Sequence, residues 1–118
     1  MNTPTPDDLL DRARELLDHK REVTGWSAPR MAALLARRAA ETLLRTACER
    51  RYGSVSGANN RALLIIAVRV LDDGTGVLLE RAWYGLSRAC HRHAFELAPQ
   101  ESEVRELIGL VERAGDHI

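Results

Sequence analysis

The run RALLIIAVRVL, residues 61 to 71, constrains the fold more than any other stretch, because it is apolar on nearly every side and rich in β-branched residues. Taken alone, such a run fits a buried strand as well as a buried helix. A strand needs a partner for its backbone polar groups, and the chain offers no second strand candidate. The run is therefore expected to be a helix, the central and most buried one, in an otherwise helical protein.

The remaining elements follow from punctuation and period. Thr5-Pro6-Asp7-Asp8 supplies a hydroxyl N-cap, a proline for the first helical position and carboxylates for the first turn. Leu9, Leu10, Ala13, Leu16 and Leu17 continue at helical spacing, which predicts a first helix over about residues 6 to 23. Gly25 to Pro29 breaks it and opens a second helix. There Ala32, Leu35, Ala36, Ala39, Leu43 and Ala47 form an inner face, opposite a solvated face of Arg37, Arg38, Glu41, Arg45 and Glu49. After a loop of Gly, Ser and Asn at 53–60, Asn59 or Asn60 caps the third helix. Asp72 to Gly76 forms a turn before a fourth helix of about residues 76 to 97, which Ala98-Pro99 stops. Glu101 to Arg113 makes a fifth, with Val104, Leu107, Ile108 and Val111 inward. The expected fold is all-α, an antiparallel bundle of four to five helices, in one domain over residues 1–118 with its core at about 6–114.

Basic and acidic residues balance at 17 each, so no overall field draws the chain to nucleic acid, and any polyanion site must be a local patch. Arg50, Arg51 and Arg61 flank the glycine-rich loop, expected at a solvated loop edge. Cys48 and Cys90 stand apart without a C-x-x-C motif and are expected to be free, buried thiols of a reducing compartment. The segment MNTPTPDDLL lacks the pattern of a secretory signal, and no apolar run approaches the ~20 residues that span a bilayer. A cytoplasmic location with no membrane partner is expected. His19 and His117 are isolated and no two histidines lie four apart on a helix, so neither a metal site nor a cofactor is expected.

The stretch LSRACHRHAFEL, residues 86 to 97, interrupts this plain pattern. The inner stripe of the fourth helix passes through Leu79, Trp83, Leu86, Cys90, His93 and Leu97, so His93 stands where an apolar side chain is expected. On a continuous helix Arg88 would lie roughly 140° from His93, whereas His91 would share the face of Arg88. Arg92 and Glu96 are spaced for an exposed ion pair. The Ser87 hydroxyl is expected to bond back to a helix carbonyl, since no acid–histidine relay can be assigned to it.

The segment AWYGLSRACHRHAFELAP with the following SEVRELIGLVERA resembles the HEPN superfamily of small α-helical domains, whose motif is R-x-x-x-x-H late in the penultimate helix. Arg88-Ala-Cys-His-Arg-His93 has that form. The resemblance implies a homodimer in which Arg88 and His93 of two chains meet around one RNA phosphate. It further implies a metal-independent endoribonuclease or RNA-binding protein of a toxin or defence system, with a cognate antitoxin or regulatory protein as partner. An imidazole can move the proton of the ribose hydroxyl or of the leaving oxygen, and a guanidinium can hold the phosphate with paired donors. His91, Arg92 and Ser87 are the further candidates for RNA contact. Ala89 stands where active members usually carry a polar residue. Phe95 stands where members controlled by nucleotide transfer carry tyrosine, which excludes that control at this position. The competing expectation is a catalytically silent helical module for dimerisation or protein interaction, with His93 in the core.

Overall fold

A computed structural model describes residues 3–20, 22, 25–71, 74–91 and 99–118. These contain five α-helices and no strand: α1 Pro6–His19, α2 Ala28–Tyr52, α3 Asn60–Val70, α4 Thr75–Cys90 and α5 Glu101–Asp116. Every expected helix is present, and one apolar core draws on all five. No helix among the described residues is long and apolar enough to cross a membrane.

The start of α1 follows from its first four residues. The Thr5 hydroxyl accepts from the Asp8 N–H at 3.1 Å, and the Asp8 carboxylate accepts from the Thr5 N–H at 3.0 Å, forming a reciprocal capping box. The helix ends four residues before the expected boundary. Lys20 adopts the left-handed conformation and turns its N–H back to the Leu16 carbonyl, three residues after the last buried residue, Leu17. Bonding to the Thr5 N–H, then to its hydroxyl, holds the Asp8 carboxyl below its ordinary value of 3.8. A depressed carboxyl stabilises the fold above its unfolded value, and that contribution disappears as pH falls through the folded one. Thr5→Val removes the hydroxyl but keeps the N–H, so the Asp8 titration midpoint should rise part of the way toward 3.8. NMR titration of the Asp8 carboxyl checks this, and an unmoved midpoint contradicts it.

The centre of the bundle is α2, not α3. The longest helix, α2, packs against each of the other four, whereas α3 meets only α2 and α4. Ala32, Ala33, Ala36, Ala39 and Ala40 are almost wholly buried along α2, and their small side chains allow neighbours to approach on several sides. The inner face is also turned relative to the expected one. Leu44 and Cys48 are buried, while Leu35 and Leu43 lie half-buried at its margin. In α3, Leu63, Leu64 and Ala67 face the core, but Ile65 is 61% exposed. An eleven-residue helix with two neighbours cannot cover its whole circumference.

The junction of α3 and α4 sets where α4 begins. Gly74 has φ +84 and serves as its N-cap, and Gly76 in the first turn lies against the last turn of α3. A β-carbon at Gly76 would come within 2.7 Å of Val68 N and closer still to the Ala67 carbonyl. The glycine is thus a packing requirement as well as part of the turn read from the sequence. Further along, Leu79, Ala82 and Leu86 bury against the interior, and α5 answers with Val104, Ile108 and Val111. Arg14–Glu112 at 2.9 Å and Arg105–Asp18 at 2.7 Å link α1 to α5 at the surface, where such pairs contribute about 0–1 kcal/mol each.

Candidate functional site

The end of α4 carries the sequence motif, and its last turn sorts the residues by environment. Ala89 and Cys90 are each 6% exposed and belong to the core, Ser87 is half-buried, and Arg88 is exposed. Ala89 therefore faces the interior, where a polar side chain would have to be desolvated. Arg88 borders a groove of about 450 Å³ between α4 and α5, with Glu80, Arg81 and Tyr84 on one wall, Glu103 and Glu106 on the other, and Leu107 and Leu110 below. Tyr84 is 43% exposed and sits edge-on to Trp83, with ring centroids 5.0 Å apart. Carboxylates outnumber guanidiniums in this groove.

The expected continuation of α4 to residue 97 is not seen in its described part. Helical backbone stops at Cys90, and His91 is extended with φ −71 and ψ 132, its N–H bonded to the Ser87 and Arg88 carbonyls at 3.1 and 3.3 Å. His91 is exposed, but it no longer shares a helical face with Arg88, because that face required an unbroken helix. Arg92, His93, Phe95 and Glu96 lie outside the described residues. Ser87 departs from its expected role. Its hydroxyl oxygen is buried without a hydrogen-bond partner among the described residues, so the expected bond back to a helix carbonyl is not made.

Two residues of α2 that the motif did not indicate hold this end of α4. Arg30, 7% exposed, donates through its guanidinium to the His91 carbonyl, a cation placed at the C-terminal end of a helix. Arg37 lies 3.6 Å from Cys90 Sγ, and its guanidinium carbon stands 5.4 Å from the Trp83 ring centroid. Glu41 completes the support: its Oε2 accepts from Asn60 Nδ2 at 2.6 Å, Trp83 Nε1 at 3.0 Å and Arg37 Nε at 3.4 Å. The expected solvated face of α2 is thus partly an internal polar seam joining α2, α3 and α4.

The cysteines and the loop behave as separate features. Cys48 is 2% exposed, and burial pushes its thiol above the ordinary range. Arg45 donates to the Val55 and Ala58 carbonyls at 3.2 and 3.1 Å, fixing the glycine-rich loop to α2. Among the described residues no group of three or more His, Cys, Asp or Glu could hold a metal ion. Compared with known proteins, the chain matches no family model, no curated protein and no solved structure.

Proposed function

We propose that the chain is a HEPN-like, metal-independent endoribonuclease that acts as a homodimer through Arg88 and His93. The observation that carries this reading is the exposure of Arg88 at the last turn of the penultimate helix, between the half-buried Ser87 and the buried Ala89. The helix ends at Cys90, so the roughly 140° separation calculated for a continuous helix does not apply to the motif. In the proposed reaction the His93 imidazole accepts the proton of a ribose hydroxyl as that oxygen attacks the adjacent phosphorus. The bond to the leaving oxygen breaks, that oxygen takes a proton from water, and Arg88 offsets charge on the phosphate. The setting that suits such an enzyme is a toxin or defence system, with an antitoxin that covers the α4 end.

A second reading, a silent interaction module, is favoured by the carboxylates of Glu80, Glu103 and Glu106 beside Arg88, which oppose a phosphate in the groove. Incubation of wild type, Arg88→Gln and His93→Ala with a broad panel of single-stranded and structured RNAs in EDTA separates the two. Cleavage by wild type, falling at least tenfold in each variant with helical content and oligomeric state preserved, is the expected result. Intact RNA throughout the panel overturns the enzyme reading and leaves the interaction module.

A further inference from the structure

A cluster of exposed arginines lies away from Arg88. From Arg50 to Leu71, between Glu49 and Asp72, the chain carries Arg50, Arg51, Arg61 and Arg69 and no carboxylate. All four arginines are exposed. Arg51, Arg61 and Arg69 make no ion pair among the described residues, and Arg50 donates to the Ile118 carbonyl at 2.7 Å.

The fold groups these charges. Arg50 and Arg51, at the end of α2, share an open cleft of about 220 Å³ with Leu71 and His117, which brings the end of α3 beside them. Arg69 precedes Leu71 by two residues, and Arg61, Ile65 and Arg69 follow at intervals of four, forming one exposed row along α3. That row is about 12 Å long. Two large apolar groups stand among the cations: Tyr52, 54% exposed, and Ile65, 61% exposed.

We infer that this end of α2 and the outer row of α3 form a binding surface for single-stranded RNA, with Arg51, Arg61 and Arg69 on phosphates and Tyr52 stacking on a base. The inference rests on the RNA reading above and adds a second contact region to it. Exposed guanidiniums without carboxylate partners among the described residues release counterions when they meet phosphates, whereas the Arg88 groove presents a phosphate with more acid than base. An exposed aromatic beside Arg51 suits a base face, which an acidic peptide does not offer.

Fluorescence anisotropy with a labelled single-stranded RNA tests the surface, using wild type, the double variant Arg51→Gln/Arg69→Gln, Tyr52→Ala, Arg88→Gln and the charge control Arg12→Gln on α1. These side chains are exposed, so the variants should fold. The double variant should bind at least tenfold more weakly and lower the slope of log affinity against log salt by about 1.4, at ~0.7 per phosphate contact. Tyr52→Ala should lose about fivefold or more, and Arg12→Gln should bind as wild type does. A loss per charge removed that is as large in Arg12→Gln as in the double variant overturns the inference, since only net charge would then matter. Loss confined to Arg88→Gln overturns it while the Arg88 reading stands. Loss in the double variant with Arg88→Gln unchanged supports the surface and removes Arg88 from binding. Displacement of wild type by polyglutamate but not by unlabelled RNA, or no RNA binding at all, overturns the inference.

Discussion

Gly76→Ala should lower stability by about 3 kcal/mol, at the upper end of the usual cost of overpacking. The new methyl would point at the backbone of α3, within 2.7 Å of Val68 N and nearer to the Ala67 carbonyl. A crowded side chain can change rotamer, but a helical carbonyl cannot leave without breaking its own ladder. The two helices must move apart instead, loosening the contacts that Leu64 and Leu79 make with the core. For a domain of this length the loss corresponds to a fall in unfolding midpoint of roughly 10 °C. Gly109→Ala in α5 is the matched comparison, because a β-carbon there has nothing within 4 Å. It should raise stability by about 0.5–1 kcal/mol through helix propensity alone. Thermal and urea unfolding of the two variants check the pair. A Gly76→Ala protein as stable as wild type would show that α3 and α4 do not meet here.

The sequence indicated the helices through local chemistry, and what it missed depended on distant partners. Thr5, Ser27 and Asn59 each cap the helix that follows, accepting from the N–H of Asp8, Arg30 and Ala62. Those signals need only four consecutive residues, so they survive without knowledge of the fold. Assigning the centre to α3 was a different matter. Its apolar composition reports what each residue prefers, but α2 has the length and the run of alanines that let four helices pack around it. The end of α4 was also obscure, because the only local stop lay at Pro99, whereas a buried guanidinium sixty-one residues earlier in the chain meets the His91 carbonyl. Arg30 could have been noticed: three residues before Ala33, it continues the buried register of α2 through Ala40 and Leu44. Glu41 offered no comparable signal. Its role appears only once Asn60 and Trp83 are brought to one carboxylate oxygen.

Arg30→Met should cost about 2 kcal/mol, the scale of a hydrogen bond to a charged group, although the methionine fills much of the space of the arginine stem. The guanidinium is buried and donates to His91, so the change deprives a helix terminus of both a donor and a positive charge. The damage should concentrate at one place. Amide exchange at Ala89, Cys90 and His91 should accelerate more than at α1, and Arg30→Lys, which keeps the charge but not the planar fork, should fall between wild type and Arg30→Met. Urea unfolding gives the total cost and hydrogen exchange gives its location. If Arg30→Met unfolds at the wild-type midpoint with unchanged exchange at those three amides, Arg30 does not set the end of α4. If the end does loosen and the chain binds RNA through Arg88 as proposed, that binding should weaken in the folded variant even though Arg30 is only 7% exposed. The exit of the chain from α4 would then be part of the site, because Arg30 holds the His91 carbonyl three residues after Arg88.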